Sequence, residues 1–137
     1  MEVYIADNLS SQSRECLDKA VTANISSRKR LHEVIYGKLR FKYPHYLSHY
    51  IYTAITQALA MFKSYRRMSR KRKDISLPRI ENLNTILLDD THLFWFSWGS
   101  LKLATHKGHI TIPFNVHEYS KKFCSWRVKG SRLVKRG

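Results

Sequence analysis

The sequence predicts an α+β chain, helical in its first half and β-rich in its second, and three observations carry that expectation. Apolar residues recur at spacings of three and four from Leu9 to about Arg67, the signature of helices that bury one face. After Ile75 the pattern shortens to alternation with a period of two, as strands require. Between the two regimes lies a basic run from Met68 to Lys73 with almost no apolar content. The expected organisation is a helical domain with a basic linker over residues 1–74 and a β-rich antiparallel segment over residues 75–137. The 137 residues fit one ordinary domain or two small units sharing a core, and the 43% apolar content is enough to fill it.

Each element has its own signal. A first helix is expected from Leu9 to about Ala23, opened by Ser10 and Ser11 as caps, with Cys16, Leu17, Ala20 and Val21 on one stripe. Asn24 to Ser27 breaks the pattern, and Ser26 or Ser27 can cap a second helix from Arg28 to about Lys42. That helix places Leu31, Val34, Ile35 and Leu39 on an apolar face and leaves Arg28, Lys29, Lys38, Arg40 and Lys42 to solvent or ligand. Tyr43 before Pro44 ends it, because the residue before a proline is pushed away from helical dihedrals. A third helix, from Pro44 to about Arg67, carries Leu47, Tyr50, Ile51, Ala54, Ile55, Ala58, Leu59, Met61, Phe62 and Tyr65 at helical spacing. An antiparallel hairpin of the second and third helices is the simplest way to pair these stripes, with the basic faces outward.

In the second half a strand is expected at Leu93 to Phe96, followed by a hairpin. Leu101 and Leu103 alternate with polar neighbours, Lys107 and Gly108 turn, and Ile110, Ile112 and Phe114 alternate again. Pro113 cannot donate to a ladder, so its strand lies at an edge or stops there. Val116 to Phe123 suits a short helix, and Ser125 to Lys129 a last strand before a basic tail.

Charge narrows the function more than the elements do. The formal charge is +15 and the pI about 10.1, well beyond the roughly 2 to 8 charges that keep a small domain soluble. Ser27 to Tyr43 holds six basic residues and one acidic, Lys63 to Arg79 eight and one, and Lys121 to Gly137 seven and none. These windows carry +19 between them and the rest of the chain −4, a blocked distribution that points to a polyanion. If the blocks form a continuous track for a sugar-phosphate chain, about 6 to 10 phosphate contacts would make affinity fall about 10³ to 10⁵-fold between about 50 and 200 mM salt. No stretch reaches the about 18 apolar residues of a membrane span, and Glu2 and Asp7 are unlike the basic start of a signal peptide. A cytoplasmic chain is the resulting expectation.

Several constellations invite chemistry. Tyr36, Tyr43, Tyr46, Trp95, Trp98 and Trp126 are interspersed with cations, the composition of a binder of RNA or single strands, although large rings in a β segment usually fill its interior. Asp89 and Asp90, followed by His92, are the neighbouring acid and imidazole groups from which a small metal-dependent nuclease could be built. They fall where a turn is expected, and adjacent carboxylates on one strand would face opposite sides. His45 and His49 stand four apart, as zinc-binding pairs do, but no third ligand accompanies them. Cys16 and Cys124 sit in no paired motif and read as packing residues. Neither a cofactor nor a metal is therefore expected, and a nucleic-acid packaging protein stands beside the nuclease as an alternative to specific binding. Base-specific readout lacks the usual Arg, Asn and Gln constellation on a helix.

The order of segments resembles the amino-terminal half of the transposon-encoded TnpB (OrfB) proteins, RNA-guided nucleases related to type V CRISPR effectors. The stretches that carry the resemblance are SRKRLHEVIYGKLRFKYP from Ser27 to Pro44, HYLSHYIYTAITQALAMFKSYRR to Arg67, ISLPRIE from Ile75 to Glu81, the hairpin ending in HITIPF, and the closing SWRVKGSRLVKRG. It covers roughly Ser27 to Gly137 and consists of apolar and basic patterns. It implies a helical recognition segment joined to a barrel-like wedge of the oligonucleotide-binding type, which together cradle guide RNA and target DNA. The family's usual first wedge strand is not evident before the helices, and its RuvC-like nuclease part with a zinc ribbon would follow Gly137. No cleavage is therefore implied for this chain. The resemblance assigns nucleic-acid contacts to Arg28, Lys29, Arg30, Arg40, Lys42, Arg66 and Arg67, and the charge runs add Arg70, Lys71, Arg72, Lys73, Arg127 and Lys129.

Overall fold

The structure, a computed structural model, describes residues 2–81, 84–89 and 92–134, with side chains from Leu9 onward and without that of Asp89. It is α+β, with helices first and small antiparallel sheets after them. The chain divides into a helical unit, Met1–Asn84, and a sheet unit, Thr85–Gly137.

The helical unit contains α1 (Glu2–Thr22), α2 (Arg28–Lys42) and α3 (Ser48–Ser69). α1 begins well before the expected Leu9, because EVYIADN contains neither Gly nor Pro to stop a helix. Ser10 is consequently a buried interior residue rather than a cap, beside Leu9, Cys16, Leu17 and Ala20 on the buried stripe. α1 closes with Asn24 in the left-handed region at φ 50°. The Ile25 amide donates to the Ala20 carbonyl at 2.8 Å and the Asn24 amide to that of Val21 at 3.2 Å, the paired bonds of a Schellman ending.

α2 has the bounds its sequence suggests. The Ser27 hydroxyl accepts from the Arg30 amide at 3.5 Å, and the Tyr43 amide donates back to the Leu39 carbonyl at 2.8 Å. Leu31, Ile35 and Leu39 are buried, whereas Val34, expected beside them, stays 46% exposed. The helix rests on its neighbours along a single i, i+4 row, and Val34 lies off that row.

α3 starts at Ser48 rather than Pro44. Residues 44–47 form a turn in which the Tyr46 carbonyl accepts from the Arg40 guanidinium at 2.6 Å. At its other end the helix runs through Ser69, so Met68 and Ser69 leave the expected linker and only 70–74 form an exposed turn. Tyr50, Ile51, Ala54, Ile55, Ala58, Leu59 and Phe62 are buried along it. This face packs on α1 more extensively than on α2, so the expected two-helix hairpin is one side of a three-helix arrangement. A stripe this wide has more surface than one neighbour can cover.

Residues beyond the basic turn also belong to the helical unit. Arg14 of α1 donates through Nε to the Ile80 carbonyl at 2.8 Å and through Nη2 to that of Glu81 at 2.9 Å, and Ile80 is buried. The packing boundary thus falls at 84/85, downstream of the change in composition at 74/75.

The sheet unit contains β1 (Thr85–Asp89), β2 (Phe94–Ser97), β3 (Ser100–Thr105), β4 (Gly108–Pro113), α4 (Glu118–Lys121) and β5 (Gly130–Val134). β2, β3 and β4 form one antiparallel sheet in that order, with Phe94 opposite Leu103 and Leu103 opposite Ile110. The turn is His106–Lys107, one residue earlier than expected, and Gly108 takes the positive φ of 115° as the first residue of β4. Thr105 pins it, donating from Oγ1 to the Gly108 carbonyl at 2.8 Å and accepting from the Lys107 amide at 3.2 Å. Pro113 ends β4 at the sheet edge. β1 pairs antiparallel with β5 in a separate ladder, and among the described residues no barrel closes. The last strand is Gly130–Val134 and not Ser125–Lys129, because successive turns through Phe123, Cys124 and Trp126 use the intervening chain.

Two tests address this packing. Cys16 is fully buried and burial pushes its thiol up to about 12, whereas Cys124 is exposed. A maleimide dye should therefore label Cys124 alone in native buffer and Cys16 only after unfolding. Arg14→Ala should lower stability by about 1–3 kcal/mol in urea denaturation, through loss of two charge-assisted hydrogen bonds to the 80–81 backbone.

Candidate nucleic-acid interface

The first turn of α2 presents Arg28, Lys29 and Arg30 to solvent. That turn contains no acidic residue, so the positive end of the helix dipole adds to the three side-chain charges instead of being offset. The Arg28 guanidinium lies 5.9 Å from the centre of the Tyr52 ring on α3. Tyr52 stacks on His32 with centroids 4.9 Å apart and planes at 9°, and His32 in turn lies 4.5 Å from Tyr36. His49 meets the same Tyr52 at 5.6 Å. All four rings are half-buried, so α2 and α3 share an aromatic stack flanked by cations.

Arg40 and Lys42, at the far end of α2, are engaged within the protein. Arg40 holds the Tyr46 carbonyl of the α2–α3 turn. The Lys42 ammonium donates to one Glu15 carboxylate oxygen on α1, and Lys38 lies 3.4 Å from the other. Burial by itself would raise the Glu15 carboxyl, but the hydrogen bonds and charges of Lys42 and Lys38 outweigh it and hold the group below its usual value. The same bond to Glu15 raises Lys42. These side chains tie α1, α2 and the turn together and offer a ligand less charge than their number suggests.

The second cluster sits at the end of α3. Arg66 packs over Phe62 at 5.8 Å and is half-buried, whereas Arg67, Arg70, Lys71, Arg72 and Lys73 are exposed. Arg72 is paired with Asp74 at 3.2 Å. Between the clusters runs a polar strip. At about 100° per residue, Lys63 and Arg67 fall within about 60° of Tyr52 around α3, on the side away from Ile51, Ile55 and Phe62. Lys63 and Arg67 are both exposed. The strip from Tyr52 to Arg67 is about 20 Å long at about 1.5 Å per residue, the length of roughly six nucleotides along one duplex strand. In the sequence Lys63 stands out only as part of a charge window. Its i, i+4 relation to Arg67 and that of His32 to Tyr36 were the signals that could have singled them out.

Arg127 and Lys129 belong to the sheet unit, exposed in the stretch between α4 and β5. Of the tryptophans, Trp95 is half-buried, with Lys102 over its ring at 5.4 Å and His109 edge-on at 5.1 Å. Trp98 is 37% and Trp126 68% exposed, so neither fills a core.

Of the two candidate metal groups, the histidine pair is not brought onto one face and the other lies partly outside the described residues. His45 lies in the turn before α3 while His49 is in its first turn, so the two do not share one helix face. Asp89 ends β1, with its side chain outside the described residues, as is the whole of Asp90; His92 is exposed in the following turn. Among the described residues no group of three His, Cys, Asp or Glu could hold a metal ion, and no helix is long and apolar enough to cross a membrane.

The Glu15 cluster generates a pH test. A carboxyl held low in the folded state stabilises it above the unfolded value of 4.5, and that contribution is lost as pH falls through the lower folded value. Lys42, held high, contributes below its unfolded value of 10.5 and loses this as pH rises further. Glu15→Gln should therefore be less stable than wild type at neutral pH, and the difference should narrow toward both extremes when melting is followed against pH.

The sequence profile of the Uncharacterized protein MJ0013 family matches residues 5–104, through the helical unit and into β3. Over 133 residues the chain is 29% identical to the Uncharacterized protein MJ0857 of Methanocaldococcus jannaschii, a match covering 82% of this chain and 48% of that protein. The chain thus spans about half the length of the relative it matches. No solved structure matches it. With the profile extending over most of its length, the chain belongs to the MJ0013 family of uncharacterized proteins.

Proposed function

We propose that this chain binds nucleic acid through the phosphate backbone, as a retention module rather than as a catalyst. The observation that carries the proposal is the exposed cationic strip of the helical unit, from Arg28–Arg30 past Tyr52, Lys63 and Arg67 to the turn at Arg70–Lys73. Its side chains are spread over the length of several nucleotides, and Asp74 is the acidic partner that the structure gives them. Arginine suits this role because its planar fork pairs with phosphate oxygens while its face rests on an aromatic ring, as Arg28 does on Tyr52. Phosphate contacts position a ligand without reading its sequence, in keeping with a strip that has no base-reading constellation.

RNA is the favoured ligand of this proposal, supported by the resemblance to the front half of TnpB proteins, in which the corresponding segments hold guide RNA. That resemblance is one of sequence pattern. A cytoplasmic site of action is part of the same proposal.

Binding of labelled structured RNA and of duplex DNA, followed by fluorescence anisotropy between about 50 and 200 mM salt, tests it. Wild type should show a steep linear decline of log affinity with log salt. The triple variant Arg28→Ala, Lys29→Ala, Arg30→Ala and the double variant Lys63→Ala, Arg67→Ala should each weaken binding and flatten the slope by about 0.7 to 0.9 per phosphate contact removed. Lys19→Ala, on α1, serves as a charge control and should change neither. Equal slopes for wild type and both multiple variants would overturn the proposal.

A further inference from the structure

The sheet unit carries an aromatic surface that its own packing leaves uncovered. In the three-stranded sheet, Phe96, Leu101 and Ile112 are cross-strand partners and share one face. Phe114 stacks on Phe96 at 5.7 Å and 27°, and Trp98 meets Phe96 edge-on at 5.4 Å. The Trp98 indole N–H donates to the Cys124 carbonyl at 3.2 Å, which ties the turns after α4 to this end of the hairpin. In those turns Phe123 lies 4.8 Å from Trp126 and 5.8 Å from Tyr119. Tyr119 is 64% and Trp126 68% exposed, far more than rings of this size usually are.

Charge states what could cover this surface. The Lys122 ammonium lies 3.6 Å from the centre of the Tyr119 ring and 5.0 Å from that of Phe123. Lys121, Arg127 and Lys129 are exposed in the same stretch, and its acidic residue, Glu118, is already paired with Lys121. An apolar protein face would have to strip water from Lys122 and Lys129 without compensation. A nucleic-acid strand satisfies both halves of the surface, since base faces stack on rings and phosphates meet the cations. A duplex keeps its base faces inside the stack, so only unpaired nucleotides can use it.

We infer that the segment Tyr119–Lys129, continued by Trp98 and Phe114, is a stacking platform for unpaired bases, so that the chain prefers single-stranded nucleic acid to duplex. This rests on the proposed nucleic-acid binding but on different residues from those of the helical strip.

The experiment compares a labelled oligouridylate with a hairpin duplex of equal phosphate count, using the full chain. Wild type should bind the single strand more tightly, with tryptophan fluorescence quenched on binding. Trp126→Ala and Tyr119→Ala should each weaken single-strand binding about tenfold or more, while Trp126→Phe restores most of it and duplex affinity stays unchanged. Both side chains are exposed, and circular dichroism checks that each variant folds. Unchanged single-strand affinity in the alanine variants, or equal losses for both ligands, would overturn the platform; a salt-dependent duplex affinity surviving alongside would leave the helical strip standing. Binding of neither ligand would remove both proposals. Concentration-dependent self-association abolished by Trp126→Ala, without effect on oligouridylate binding, would identify the surface as a contact between copies and likewise overturn the inference.

Discussion

The helical unit depends on the burial of one wide apolar stripe along α3. Ile51, Ala54, Ile55, Ala58, Leu59 and Phe62 are shielded by α1 and α2, and fully burying a large aliphatic or aromatic side chain is worth about 1.5–3 kcal/mol. Measured against a net folding stability of about 5–15 kcal/mol, this is the term that lets the unit tolerate so many like charges. Because α3 commits one side to the core, its cations at Lys63 and Arg67 collect on the other. The polar strip is thus a by-product of helical periodicity applied to a sequence rich in both residue classes.

A basic protein must also manage repulsion near its own packing contacts. Glu15 does so at the corner where α1 meets the end of α2, accepting Lys42 and Lys38 together. Arg40 meets the same problem by turning its guanidinium onto a backbone carbonyl. The result is an electrostatic asymmetry within one helix. The first turn of α2 holds no acidic residue and its three cations are exposed, while at its end Glu15 offsets part of the charge and the cations are engaged in packing.

What could be read from the sequence was mostly local. α2 was legible at both ends because Ser27 and Pro44 act within a few residues of the boundaries they set, and the β3–β4 hairpin because its alternation and Gly108 lie side by side. The start of α3 was misplaced because Pro44 is compatible with a helix start, whereas the chain first turns through 44–47, where the Tyr46 amide donates to the Tyr43 carbonyl and the Arg40 guanidinium holds the Tyr46 carbonyl. β1 and β5 escaped notice for a different reason: each is half of a ladder whose other half is distant in sequence, and neither alternates strongly enough alone. For the site, exposure of Arg28–Arg30 and of 70–73 followed from charge, but the engagement of Arg40 and Lys42 did not, since charge counts do not reveal an acidic residue on another helix. The aromatic surface was legible only as composition. That its rings lie outside rather than inside depends on which turns displace the last strand.

The β1–β5 ladder has a topological consequence. Thr85 is paired with Val134, so the first and last described residues of this unit sit about 5 Å apart, one inter-strand spacing. Everything between them is a closed excursion clasped at its neck. A segment whose two ends meet in this way can be inserted at one point of another fold without pulling that fold's backbone apart.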